Sequence, residues 1–244
     1  KKGLDAAIKA RDIFVKTNKL YFYPHSLIDI GSAYLDLNDF DNAKINLFKS
    51  YNLFKRKEKE DGNKQYTLIR KVIGDYYFKI KDYKKAAKYY SETIRISKKT
   101  RNLTRKSSVL YKLGQLHTNQ NRYALAESYY LDALKLFKKL YRKNYTKEAY
   151  HELAYNYYLQ KKYKKAFETY KKYHDIEREI FNEKRSMQIA DIETKYETEK
   201  KDKEISSLKK INALQIREKI LVKKQQRYLI YAVVSTALLL LIFM

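Results

Sequence analysis

Residues 109–137, VLYKLGQLHTNQNRYALAESYYLDALKLF, decide the fold. They read as a helix, a short polar turn and a second helix, and three other stretches repeat the pattern: 26–54 (SLIDIGSAYLDLNDFDNAKINLFKSYNLF), 68–96 (LIRKVIGDYYFKIKDYKKAAKYYSETIRI) and 149–177 (AYHELAYNYYLQKKYKKAFETYKKYHDIE). A small residue recurs at Gly31, Gly74, Gly114 and Ala154, and three positions later a ring at Tyr34, Tyr77, His117 and Tyr157. A second ring recurs at Phe40, Tyr83, Tyr123 and Tyr163, and an alanine at Ala43, Ala86, Ala126 and Ala166. Every column steps by 43, 40 and 40 residues. Four columns keeping one beat define an internal repeat, which takes precedence over any other reading of the chain.

Each column has a physical reason. The small residue on the first helix of a pair, helix A, lets its partner, helix B, approach closely. The ring one turn further fills the gap on the same face, and the next ring plugs the end of the pair. The alanine on helix B sits at the crossing, where a larger side chain would hold the helices apart.

Composition supports an all-helical chain. Among 244 residues there are five glycines and one proline, all in the first half (Gly3, Pro24, Gly31, Gly62, Gly74, Gly114). Residues 115–244 therefore lack a strong helix breaker. There is no cysteine, which excludes disulfides, thiolate metal sites and cysteine nucleophiles. The net charge is +26, but the lysines are spread over every segment and interleaved with acids. That pattern fits a solvated helical surface better than a nucleic-acid face, so nucleic acid is not an expected partner. The 26 tyrosines fit packing between repeats with a polar tip left at the surface.

The columns at Gly31, Tyr34, Ala43, Gly74, Tyr77, Ala86, Gly114, His117, Ala126, Ala154, Tyr157 and Ala166 resemble the tetratricopeptide repeat (TPR) family, over about residues 24–180. The departures are a period longer than the usual 34 residues of that family and no proline at the repeat ends. Longer helices account for the first, and helical connections running on between repeats are expected to account for the second. The resemblance implies an α-solenoid of antiparallel helix pairs whose concave face is lined by helix A. The positions it places on that groove are Ile28, Ser32, Lys71, Asp75, Tyr111, Gln115, His151, Tyr155 and Tyr158, and the ligand it implies is a peptide or protein. The Lys/Asn clamp with which some relatives hold a terminal carboxylate is missing: the pairs read Ile28/Ser32, Lys71/Asp75 and Tyr111/Gln115. The opening stretch matches helix B of an upstream repeat, Ala10 falling with Ala133 and Phe14 with Phe137.

No catalytic constellation stands out. His151-Glu152-Leu153 is similar to the phosphoacceptor box of histidine kinases, but Leu153 and Ala154 fall in core columns and no Asn/Gly-rich nucleotide segment follows. His117 lies in the ring column and reads as packed. The order H-E-L-A-Y does not match the two-histidine zinc pattern, and no glycine-rich phosphate loop occurs. No catalytic residue, metal or cofactor is expected.

From Asp175 onward the chain is charged and free of glycine and proline, passes a basic collar (Lys223, Lys224, Arg227) and ends in YLIYAVVSTALLLLIFM, 228–244. These 17 residues approach the length of about 20 that spans a bilayer. The collar suits lipid headgroups. Ile189, Ile192 and Tyr196 hold one helical phase, Leu208 and Ile211 another, which is the pattern of a coiled-coil homodimer with phase shifts. The stretch IADIETKYETEKKDKEI with the tail behind it is similar to an arrangement in bacterial sensors, where periplasmic TPRs lead through a helix and one span to a histidine kinase or DNA-binding regulator. That resemblance places the repeats in the periplasm, whereas the collar read alone favours the cytoplasm.

The organisation expected is therefore a partial helix B at 1–23 and four repeats at 24–66, 67–106, 107–146 and 147–180. A connecting helix at 181–227 and a membrane helix at 228–244 follow. The function expected is the sensing and interaction region of a membrane-anchored bacterial signalling protein, with an output domain beyond Met244. The alternatives are a membrane-tethered TPR scaffold and an enzyme whose catalytic domain lies past the same residue.

Overall fold

The computed structural model describes the backbone of residues 2–61 and 66–242, all of it helix and short turns. α1 (Lys2–Lys16) and a 3₁₀ turn (Leu20–Phe22) precede α2 (Tyr23–Asp36) and α3 (Phe40–Asp61). Then come α4 (Thr67–Lys79), α5 (Tyr83–Lys99), α6 (Leu103–Asn119), α7 (Tyr123–Lys139), α8 (Lys143–Leu159) and α9 (Tyr163–Ile242). The chain divides into two units, Lys1–Ile180 and Phe181–Met244.

In the first unit α2, α4, α6 and α8 are A helices, while α3, α5, α7 and the start of α9 are B helices. α5 to α8 have 17 residues each, which with three-residue turns gives the period of 40. Helices A of the last two repeats begin at Leu103 and Lys143, four residues ahead of the boundaries expected at 107 and 147. At the first, Asn102 is the N-cap, its side chain accepting from the Arg105 N–H at 2.9 Å. Asp82 caps α5 in the same way, at 3.1 Å to Lys85.

The connections between repeats that lie wholly within the described residues are not the continuous helix that the sequence suggested. Asn18, Asn38, Lys81, Arg101, Asn121, Tyr141 and Lys161 hold φ between 52° and 62°, one every 20 residues from Lys81 to Lys161. Each makes the same closing pair of bonds: the Lys81 N–H donates to Phe78 and that of Asp82 to Tyr77, as Tyr141 does to Lys138 and Arg142 to Phe137. This is the left-handed helix stop that glycine usually provides, formed here without one. Its strain is roughly 1–2 kcal/mol for a side chain other than glycine, and less for asparagine. Tyr141 is 90 % exposed, so Tyr141→Gly loses no packing. It should raise unfolding stability by about 1 kcal/mol in denaturant titration.

The core follows the columns. Gly31, Gly74 and Gly114 are buried, and a Cβ at each would lie 2.6 Å from Leu47 Cγ, 2.5 Å from Tyr90 Cε1 and 2.5 Å from Tyr130 Cε1 respectively. Ala43, Ala86 and Ala126 have no exposed surface. Tyr77 stacks on Tyr89 (5.6 Å, 14°) and His117 on Tyr129 (5.3 Å, 7°), one ring contact repeated in successive pairs. Asn156, fully buried on α8, donates to Thr118 on α6 at 3.2 Å; Thr118 shares a hydrogen with Tyr130 on α7 at 3.2 Å, and Gln160 closes on the amide oxygen at 2.6 Å. That buried set joins three helices.

Burial raises several phenols in this core. Tyr89 is pushed up to about 12 by burial and then by neighbouring Tyr51 and Tyr77. Tyr157 is also at about 12, from burial and its bond to Glu127, and Tyr90 stands well above the ordinary value. A phenol whose folded pKa exceeds its unfolded value near 10 contributes stability that is complete below about pH 10 and is lost as pH rises through the folded pKa. Alkaline titration should therefore show late phenolate absorbance that coincides with loss of helical circular dichroism. Full ionisation before any loss of helix would contradict this packing.

α2 approaches α4, α4 approaches α6 and α6 approaches α8, whereas among the described residues α3, α5 and α7 do not approach one another. The A helices therefore line the inside of the curve. Residues 163–180 of α9 pack on α8, with Ala166, Tyr173 and Ile176 against the core cluster.

The second unit, from Phe181, is helical to Ile242. Ile189, Ile192, Tyr196, Leu208, Ile211 and Leu214 are all exposed along it, and Asp191 pairs with Lys195 at 2.7 Å. Among the described residues no helix is long and apolar enough to cross a membrane. The span expected at 228–244 rests mostly on side chains of 231–234 and 236–244, which lie outside the described residues.

Candidate functional site on the inner face

The inner face is built from the A helices, and its best-formed part lies where α4, α6 and α8 meet. On α4, Asp75 pairs with Lys71 one turn earlier and accepts the Tyr90 hydroxyl at 2.8 Å. On α6, the Gln115 amide donates to Tyr111 Oη at 3.2 Å and to Glu152 of α8 at 3.0 Å, while its oxygen accepts from Lys112 Nζ at 3.0 Å. These bonds tie α4 to α5 and α6 to α8 through side chains most of which are themselves half-buried.

Beside this network is a cavity of about 280 Å³ lined by α4, α6, the end of α7 and the start of α8. Lys71, Arg105, Lys112 and Arg142 face it, with Tyr111, Tyr145 and Glu148. Burial lowers the affinity of Arg105 and Lys112 for their protons, partly offset in both by the field of Asp75. Further along, α8 and the start of α9 form an open, ring-lined hollow of about 360 Å³ with His151, Tyr155, Tyr158, Tyr163, Phe167 and Tyr170. Tyr155 and Tyr158 are 51 % and 58 % exposed.

Of the groove residues expected from sequence, Lys71 and Asp75 pair on α4, Tyr111 and Gln115 bond on α6, and His151, Tyr155 and Tyr158 line the hollow. Ser32 is half-buried on α2, apart from both. Ile28 is corrected: it is 2 % exposed and belongs to the core of the first pairs, because α2 turns that face toward α3 and α4. Tyr111 carries structure as well as surface, its ring lying 6.1 Å from Tyr130 and 6.3 Å from Phe137. Sequence reasoning missed Arg105, Lys112, Arg142 and Glu152. Column alignment finds what recurs, and Arg105 has Tyr145 as its counterpart in the next repeat.

Stacked antiparallel pairs, with the same helix stop at seven of the described turns and their A helices on one face, define an α-solenoid repeat protein. Family models described as tetratricopeptide repeat match residues 24–53 and 72–100, and a second one 105–179, together more than half of the chain. The chain belongs to the tetratricopeptide repeat family, a protein-interaction fold.

Solved structures agree. BtubC from P. vanneervenii superposes with a TM-score of 0.60 at 16 % identity, over 73 % of each chain. MamA gives 0.52 at 17 %, over 73 % of this chain and 91 % of its own. A signal-transduction ATPase with a tetratricopeptide repeat sensor, from Pyrococcus horikoshii, gives 0.57 at 24 %, over 75 % of this chain and 30 % of its own. At these identities the likeness is one of fold. No curated protein matches the sequence.

Proposed function

We propose that this protein is the recognition region of a membrane-anchored bacterial signalling protein. Its inner A-helix face binds an extended peptide or protein segment, and the charged helix behind the last repeat couples that event to a membrane and to an output domain. The observation that carries the reading is the exposure of Tyr155 and Tyr158 on the inner face of α8, where two rigid amphipathic rings have a ligand's surface to cover. The Pyrococcus horikoshii ATPase, whose tetratricopeptide repeat is its sensor, is support by analogy. The basic collar at Lys223, Lys224 and Arg227 and the apolar tail support a single-pass membrane location, and the resemblance to bacterial sensors favours the periplasm for the repeats over the cytoplasmic side that the collar alone favours. The exposed apolar positions from Ile189 to Leu214 support pairing with a second copy.

The test begins with a peptide selected from a random displayed library on the immobilised chain. A photo-crosslinking residue in place of Tyr155 should capture it, and one in place of Lys135, exposed on outer helix α7, should not. Tyr155→Ala with Tyr158→Ala should weaken binding about tenfold or more without lowering thermal stability. Equal capture from both faces would refute the inner-face reading. A cysteine replacing Leu208 separates the signalling reading from a passive scaffold. Interchain disulfide formation that changes rate on peptide binding marks transmission, and an unchanged rate marks a tether.

A further inference from the structure

The cavity between α4, α6 and α8 holds more positive charge than its own acids neutralise. Lys71 is paired with Asp75, and Asp75 is also committed to the Tyr90 hydroxyl. Glu148 lies 3.4 Å from Lys147, and Glu152 accepts from Gln115. Among the described residues, none of Arg105, Lys112 and Arg142 has a carboxylate within ion-pair distance. Arg105 makes no side-chain hydrogen bond, and its Nε is buried without a partner. Lys112 Nζ donates to one neutral amide and sits 5.8 Å from the ring centres of Phe78 and Tyr111. The Arg142 guanidinium lies 5.9 Å over Tyr145.

Rings stabilise a cation only modestly. A desolvated charge without a counter-charge is costly in any fold. An unsatisfied guanidinium Nε inside a hollow is the geometry that a forked oxyanion completes. The Ser107 and Ser108 hydroxyls do not substitute: Ser107 donates to the Thr104 carbonyl and Ser108 to that of Arg105, so their hydrogens are already used. A volume of about 280 Å³ is at or below the low end for small-molecule sites, which suits one side chain or terminal group of a longer ligand.

We propose that this cavity is the seat for an anionic oxygen group, a carboxylate or a phosphoryl, carried by an acidic peptide segment that lies along the inner face. This rests on the inner-face reading above and adds the chemistry that the face selects. Two clamp positions, Lys71 and Tyr111, also line this cavity, but among the described residues its cations without a carboxylate partner are Arg105, Lys112 and Arg142, which lie outside those positions.

The experiment uses the full chain in detergent micelles with inorganic phosphate and three labelled short peptides: one rich in glutamate, its glutamine counterpart, and one with a phosphoserine in place of a central glutamate. The glutamate and phosphoserine peptides should bind and the glutamine peptide should not. The tighter of the two names the group. Arg105→Gln and Arg142→Gln should each weaken binding about tenfold. Arg105→Gln should unfold no earlier than the parent, because it removes a half-buried charge whose Nε has no partner. Lys88→Gln and Lys135→Gln, on exposed outer positions, should change nothing. Phosphate should raise the melting temperature of the parent above that in chloride of equal ionic strength, and should fail to do so in Arg105→Gln/Arg142→Gln.

Charge-indifferent peptide binding that depends on Tyr155 and Tyr158 but not on Arg105 would overturn the seat and leave the inner face standing. Phosphate protection that depends on Arg105, without crosslinking at position 155, would establish the seat and remove the inner-face reading. Losses as large in the outer-face variants would overturn the proposal as mere surface charge.

Discussion

Gly114→Ala is expected to destabilise the repeat unit by about 3 kcal/mol, at the upper end of what one added methyl group does in a packed core. The new Cβ would lie 2.5 Å from Cε1 and 2.6 Å from Cδ1 of Tyr130, a ring with no exposed surface and a hydroxyl held by Thr118. The ring has no open side to move into. Gly74→Ala meets Tyr90 at the same distances. The fourth repeat performs the converse experiment. Ala154 stands in the glycine column, and its opposite ring, Tyr170, is 44 % exposed and free of the confinement of Tyr130. Ala154→Gly should therefore cost only the backbone entropy of a helical glycine, about 1 kcal/mol. Denaturant midpoints of the two substitutions decide the matter: equal losses would mean that ring confinement is not what the glycine column serves.

Tyr90→Ala should cost about 3–5 kcal/mol, the range for emptying a buried aromatic site. Tyr90 is fully buried, covers Gly74 and belongs to the cluster that joins α5 to α6. Tyr90→Phe keeps the ring and loses the 2.8 Å bond to Asp75, so it should cost about 1–3 kcal/mol. Asp75 retains Lys71 in that variant, which places the expected loss at the lower end of the range. A Phe variant as unstable as the Ala variant would show that the hydroxyl, and not the ring volume, holds the second repeat together.

The fold was legible because its rule is periodic. Four columns required a small residue, two rings and an alanine at fixed places, and close helix packing accepts little else. The helix stops were not legible for the complementary reason. Lys81, Arg101 and Tyr141 adopt the left-handed conformation with no compositional mark, since their stops are closed by backbone bonds and tolerate any exposed side chain. The absence of glycine and proline after residue 114 suggested running helices, and the array turns regardless. The inner face was half legible. Lys71, Asp75, Tyr111 and Gln115 follow from repeat geometry. Ile28 fails because in the first repeat the same helical position is drawn into the core. Arg105 and Arg142 could not emerge from alignment, because neither recurs: Tyr145 stands one repeat after Arg105 and Asn102 one repeat before Arg142.

The stops at every twentieth residue also govern how such a chain can change length. A helix advances about 100° per residue, so one inserted residue inside α6 or α7 would turn each later column off its partner. The single longer interval, 43 residues from Gly31 to Gly74, coincides with the longer α3, 22 residues against 17, whose extra length follows its last core column. Natural or engineered variants should accordingly differ from this chain by whole helix pairs, or by additions placed at the stops. The array is lengthened in quanta, and its reading frame is kept by the caps.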